Sequence, residues 1–225
     1  FFQTNCLNFA VAEQLVLGAH SDLDGRALES REQLLRYCYQ VASSVGLMMC
    51  PLLEVKDPRA KAFAIDLGVA MQLTNICRDV LEDAQEGRVY LPLTVNQRAR
   101  LLTVARRADV KESTHLAWLD SQVQATWSLA ETYYRSARKG LVFLPVRSRL
   151  SIAVALEVYR GIGCELKKRD FNPLAGRVMV SPLKKICWTL KALWHWWGSF
   201  FWLDRQLQHN HELHVPLKSL PEVEV

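Results

Sequence analysis

The sequence predicts an all-α protein, and three observations carry that prediction. Apolar side chains recur at the three- and four-residue spacing of a helix face along most of the chain. Period-two alternation, the mark of a half-buried strand, is rare. Only ten glycines and eight prolines occur, and they fall mostly between the periodic stretches. With 225 residues, half of them hydrophobic, the chain can bury a full core and reads as one domain over residues 1–204.

Taken in order, residues 5–18 place Leu7, Val11 and Leu15 at helical spacing and stop at Gly18, so a first helix is expected there. Asp22 and Asp24 follow beside Gly25, which is turn chemistry. The next helix covers residues 30–53 and contains RYCYQVASSVGLMMC. There the small residues Ala42, Ser43, Ser44 and Gly46 let another backbone or a ligand come close. Asp57 and Pro58 form an N-cap followed by a first-turn proline. The helix they open runs through Ala70 to Gly87 and is predicted to be the longest.

Residues 93–116 are charged and irregular, with Arg98, Arg100, Arg106 and Arg107 around short apolar runs, and read as a surface helix and a loop. Helical spacing resumes over residues 117–141. Leu119, Val123, Trp127, Ala130, Tyr134 and Ala137 form its inner side, and Gly140 marks its end. After Pro145, residues 146–168 repeat Ile152, Leu156, Tyr159 and Ile162 on a helical period. Ser181 and Pro182 open a last helix to about Leu203, and the polar residues 205–225, with two prolines, read as a disordered tail.

The reactive groups concentrate in residues 72–92, QLTNICRDVLEDAQEGRVYLP. Gln72, Asn75, Asp79 and Asp83 fall on one face of the long helix, a face that is polar where a buried helix would be apolar. Asp79 and Asp83 lie one turn apart. Like charges at that spacing repel, and a hard cation taking oxygen ligands from both removes the conflict, with the Asn75 and Gln72 amide oxygens adjacent. The face reads as a magnesium site. A solvated acidic face is the plainer reading of Asp79, Glu82 and Asp83 alone, but Asn75, Arg78, Gly87, Arg88 and the Tyr90, Leu91, Pro92 exit point to more.

The string NxxRDxxEDxxxGRxYLP resembles the second aspartate-rich motif of the phytoene and squalene synthase family, with Asn75, Asp79 and Asp83 at its metal-ligand positions. The likeness extends from about Leu34 to Lys185. It implies an isoprenoid synthase fold, an antiparallel helical bundle around a central cavity, that joins two prenyl diphosphates head to head with Mg2+. The implied course is ionisation of one allylic diphosphate, capture of the cation by the second substrate as a cyclopropyl intermediate, and rearrangement to a linear hydrocarbon. Two geranylgeranyl diphosphates giving phytoene, through prephytoene diphosphate in carotenoid biosynthesis, is the leading expectation. Squalene or presqualene diphosphate synthesis from farnesyl diphosphate, and a non-catalytic scaffold role, are the alternatives.

The resemblance assigns further residues. Asp79, Asp83, Tyr39 and Arg78 are the expected catalytic set. Gln72, Asn75, Arg78, Arg88, Tyr37, Ser43, Val45 and Gly46 are the expected substrate contacts. Tyr37, Tyr39, Ser43, Val45 and Gly46 come from a segment similar to the family's YCYxVAGxVG motif, which lines the prenyl cavity. Ser43 stands where glycine is usual and is expected to narrow that cavity, and a plain core role for the tyrosines is as good a reading. Arg78 and Arg88 are placed to hold diphosphate oxygens or to pair locally with Glu82 or Glu86. Tyr133 and Tyr134 match a family tyrosine pair but read as core. Arg177 resembles the arginine of a GRxxVS stretch and is assigned a structural role, because it lies in a loop.

The family's first aspartate-rich motif is absent from the residues before Tyr37, and the chain starts at Phe1, so the sequence reads as a fragment missing its N-terminal helices. The net charge of +5 is scattered rather than gathered into one basic block, which argues against a nucleic-acid partner. The six cysteines, Cys6, Cys38, Cys50, Cys77, Cys164 and Cys187, form no CxxC pair and read as core thiols of a reducing, cytoplasmic setting. Leu193, Trp194, Trp196, Trp197, Phe200, Phe201 and Trp202 beside Lys184, Lys185 and Lys191 suit either a membrane interface or packing against another segment or subunit.

Overall fold

The computed structural model describes residues 7–23, 27–107, 115–198 and 207–224, and every regular element among them is helical. The helices are α1 (Phe9–Leu23), α2 (Arg31–Cys38), α3 (Ser44–Leu52), α4 (Ala60–Gln85), α5 (Val95–Ala105), α6 (Ala117–Lys139), α7 (Val146–Lys167) and α8 (Pro182–Gly198). Short 3-10 turns cover Gly140–Phe143, Pro173–Ala175 and His211–Leu217.

The element α4 organises the rest, packing against α2, α3, α5, α6 and α7. Its length follows from an uninterrupted run of helix-compatible residues whose Ile65, Val69, Ala70, Leu73, Cys77 and Ala84 are fully buried. Gly87 stops it. At φ +83 this residue takes the left-handed conformation that a glycine adopts without steric cost. The amide of Gly87 donates to the Ala84 carbonyl (3.1 Å) and that of Arg88 to the Asp83 carbonyl (2.8 Å), the paired bonds of a Schellman cap. At the other end the Asp57 side chain accepts from the Arg59 amide at 2.9 Å, while the regular helix begins at Ala60, later than the capping residues suggested.

The segment over 30–53 is one continuous rod with a π turn, Tyr39–Ser43, between α2 and α3. Ser30 caps it by accepting from the Gln33 amide. The π turn has a packing cause on α4: a Cβ placed on Gly68 would lie 2.5 Å from the Ser43 backbone. The two backbones therefore approach as closely as a glycine allows. Similarly α1 continues past Gly18 to Leu23, because Gly18 is packed flat against Val41 and Gln40 instead of ending the helix.

Helix α5 starts at a capping box, Thr94 with Gln97. The predicted inner side of α6 is buried residue for residue. Ion pairs tie α6 to α7 through Arg160 and Glu131, two contacts of 2.7 Å, and α8 to α7 through Lys191 and Glu157 at 3.7 Å. Helix α8 lays Trp188 and Ala192 on α7 and ends, as described, at Gly198; the expected continuation to Leu203, and with it Phe200, Phe201 and Trp202, lies outside the described residues, as do Asp24, Gly25 and Cys6.

Residues 207–224 correct the expectation of a disordered tail. Leu217 and Leu220 are buried in the main core, Glu222 pairs with Lys61 at 2.8 Å, and the Tyr133 hydroxyl donates to the Leu213 carbonyl at 2.7 Å. Two leucines and several hydrogen-bonded turns give this polar segment enough buried apolar surface and satisfied backbone to hold one conformation.

Candidate active site

An apolar cavity of about 380 Å³ lies between α3, α4, α6 and α7. Val45, Gly46 and Met49 supply one wall, Leu67, Gly68 and Met71 the next, and Ala137, Ile152 and Tyr159 close it. Small residues make the room: a Cβ on Gly46 would sit 3.1 Å from the Ala64 carbonyl oxygen. Gln72 and Asn75 of α4 bring two amide groups into its lining. Asp79 and Asp83 follow one and two turns further along the same helix, so the apolar chamber leads onto the acidic face.

The acidic face is only partly balanced. Arg78 makes a bidentate contact with its neighbour Asp79, with Nε at 2.7 Å. Arg177 reaches the same carboxylate at 3.3 Å and Glu82 at 3.3 Å. Arg88 pairs with Glu86 and stands 3.9 Å from Asp83. Burial, and then the Asp79 charge, push the Asp83 carboxyl up to about 6, against which Arg88 pulls only weakly. Asn75 turns its amide nitrogen toward Gln72 at 3.4 Å, and its buried Oδ1 has no hydrogen-bond partner among the described residues.

These observations decide whether a hard dication fits. A buried amide oxygen with no donor among the described residues, a carboxyl pushed up by burial and a neighbouring charge, and a second carboxylate one turn away form an all-oxygen donor set. Mg2+ suits such a set, and Asn75, Asp79 and Asp83 are the residues that would hold it.

Several residues assigned from the sequence lie elsewhere. Tyr39 does not line the cavity; its side chain is fully buried and its hydroxyl donates to the Pro221 carbonyl of the C-terminal segment. Tyr37 also points away, stacking on Tyr90 with ring centres 5.0 Å apart, and both hydroxyls donate to Asp22, at 2.9 and 3.0 Å. Asp22 is thus the acceptor of a phenol pair at the end of α1 and not a turn residue. Burial raises both phenols, Tyr90 to about 12. Ser43 cannot narrow the cavity, because its hydroxyl donates to the Ile65 carbonyl at 2.7 Å in a fully buried contact. The π turn is the common cause: its wider turn shifts the phase of the helix, so that Val45 and Gly46 face the cavity and Tyr39 and Ser43 do not.

Arg78 pairs with Asp79, neither of the partners expected for it, whereas Arg88 does take Glu86. Tyr133 and Tyr134 are core residues as read, the latter sharing a 2.9 Å hydrogen bond with Thr74. Arg177, assigned a structural role, stands instead at the acidic face. Its loop position concealed this; the available signal was an arginine in a stretch similar to a family motif, within a chain whose acidic face lacked partners.

A family model described as squalene/phytoene synthase matches residues 1–184. Among curated proteins, the 15-cis-phytoene synthase of Enterobacter agglomerans is 41% identical over 183 residues, covering 81% of this chain and 61% of that protein. The phytoene synthase of Cereibacter sphaeroides is 35% identical over 183 residues, 80% of this chain and 50% of that protein. The chain thus spans half to three fifths of the length of these relatives. Among solved structures, a ligand-bound dehydrosqualene synthase superposes with a TM-score of 0.69 at 27% identity, covering 85% of this chain and 66% of that one. A squalene synthase from Alicyclobacillus acidocaldarius, with a TM-score of 0.65 at 16% identity over 76% of this chain and 64% of that one, shares the fold.

Proposed function

The chain belongs to the squalene/phytoene synthase family, and from that premise we propose that it serves head-to-head condensation of two prenyl diphosphates, with two geranylgeranyl diphosphates giving phytoene as the leading reading. The observation that carries this is the adjoining of an apolar chamber to an under-compensated acidic face on one helix. A prenyl tail fits the first and a magnesium-bound diphosphate the second. Bound Mg2+ would supply positive charge to the departing diphosphate.

The chain's own residues divide the remaining work. Asn75, Asp79 and Asp83 present oxygen atoms in a row along α4. Arg78 and Arg177 now spend their guanidinium groups on Asp79, and can turn to diphosphate oxygens once a cation replaces them there. Met71, Leu67 and Val45 hold the hydrocarbon and exclude water from a developing carbocation. Tyr159, in the lining beside Arg78, offers a ring face to such a cation.

The reading includes a surface partner. Leu183, Ile186, Leu190, Leu193, Trp194 and Trp197 form an exposed stripe at helical spacing along α8, flanked by Lys184 and Lys185. No helix among the described residues is long and apolar enough to cross a membrane. An apolar stripe edged by lysines suits a helix lying in a bilayer interface, where a hydrocarbon product could be released.

The test is product analysis with geranylgeranyl or farnesyl diphosphate and Mg2+, together with binding of a non-ionisable diphosphate analogue, for this chain and for a version extended upstream. Magnesium-dependent binding that Asp79→Ala or Asp83→Ala removes, with a hydrocarbon product from the extended form, supports the enzyme reading. Absence of both favours the scaffold reading. The productive substrate discriminates phytoene from squalene chemistry.

A further inference from the structure

A second group of metal-type ligands gathers where the C-terminal segment meets α4, away from the acidic face. The Asp66 carboxylate is fully buried. His209 approaches one of its oxygens through Nε2 at 2.8 Å, and His214 the other through Nε2 at 3.0 Å. The His214 side chain is 0% exposed and that of His209 5%. One ligand atom from each of the three residues falls within 4.8 Å of the others.

Both imidazoles turn Nε2 to the same carboxylate, and their Nδ1 atoms are buried without a hydrogen-bond partner among the described residues. With both rings neutral, a full negative charge stays in the core. Each oxygen of that carboxylate faces one imidazole Nε2, which brings two nitrogens and two oxygens to a single point in the core. Rings pack around the cluster, Phe63 and His211 each edge-on to His209 at 5.3 and 5.4 Å.

We propose that Asp66, His209 and His214 form a binding site for a divalent first-row transition metal of the zinc class, which fastens the C-terminal segment to α4. Two imidazole nitrogens and one carboxylate oxygen are a donor set that such ions take, with a water completing a tetrahedron. The set differs in kind from the all-oxygen face at Asn75, Asp79 and Asp83, which suits Mg2+. The site is independent of the prenyltransferase reading, since its ligands lie outside both the cavity lining and the acidic face. Its effect is on the last segment, whose Pro221 and Leu213 carbonyls accept the Tyr39 and Tyr133 hydroxyls.

The experiment uses the full chain without a histidine tag, stripped with a chelator and titrated with Zn2+ or Co2+. One Zn2+ per chain should survive gel filtration, and Co2+ should give a tetrahedral visible spectrum without thiolate charge transfer. His209→Gln and His214→Gln should each weaken binding by more than about tenfold, while Asp79→Asn leaves it unchanged. Far-UV circular dichroism checks that the variants fold. If His214→Gln unfolds, His209→Gln, at the more open edge, together with the wild-type stoichiometry, still decides the matter. A wild-type chain that retains no zinc, a cobalt spectrum dominated by thiolate bands, or binding indifferent to the histidine changes overturns the site.

Discussion

Arg177 stands 3.3 Å from Asp79, bringing a loop that follows α7 onto the acidic face of α4. The same guanidinium reaches Glu82, also at 3.3 Å. A basic group so placed can release its carboxylate and hold an anion. We expect Arg177→Ala to weaken binding of a diphosphate analogue by about 10-fold or more, the range of one charge-assisted hydrogen bond. Folding stability should change by less than about 1 kcal/mol, because Arg177 is half exposed. Calorimetric titration beside urea unfolding separates the two effects.

Asp83 sets a pH dependence. Its carboxyl is pushed from an ordinary value near 3.8 up to about 6, so the folded state binds the proton more tightly than the unfolded chain does. Its contribution to metal-free stability is therefore full below the lower value and lost as pH rises through the upper one. Mg2+ needs the ionised form, so its affinity should rise across the same window. Melting temperatures and Mg2+ titrations through this range, compared with Asp83→Asn, check both slopes; slopes that persist in the variant would assign them to another group.

Gly68 is where α4 and the π turn meet backbone to backbone. A Cβ there would lie 2.5 Å from both the Ser43 nitrogen and Cα, and neither can swing aside as a side chain could. Gly68→Ala should cost about 3 kcal/mol, at the upper end of overpacking effects. The loss would appear as a lower urea midpoint.

Removing residues 207–225 should destabilise the chain even though the segment is largely polar. Leu217 and Leu220 leave the core, and the Tyr39 and Tyr133 hydroxyls lose their carbonyl acceptors. Burial of two leucines alone is worth roughly 3–6 kcal/mol. A truncated chain as stable as the parent in urea would show that the segment contributes nothing.

The α8 stripe gives a prediction about surfaces. Replacing Leu190, Trp194 and Trp197 together by Ser should abolish cosedimentation with anionic liposomes while leaving the melting temperature within a few degrees, because all three are exposed. Parent protein that stays in the supernatant removes the membrane reading.

Much of the fold was legible locally. The inner side of α6 and the stop at Gly87 follow from interactions within one or two helical turns. The acidic face of α4 was readable for the same reason, since spacing along one helix fixes which side chains share a side. Gly18 and the π turn were misread or missed because packing against another element decided them. Gly18 lies flat against Val41 and Gln40, and Gly68 brings α4 onto Ser43.

The sequence by itself determined most of the helical stretches, the stop at Gly87, and that Asn75, Asp79 and Asp83 stand in one row, because these depend on backbone geometry and nearest turns. Tertiary structure alone decided that Val45 and Gly46 line the cavity while Tyr39 and Ser43 turn away. It also decided that Arg177 joins the acidic face, and that His209 and His214 close on Asp66. Those contacts arise from how rigid helices rotate and slide against one another, and the phase of each helix is fixed by its packing and not by its own period.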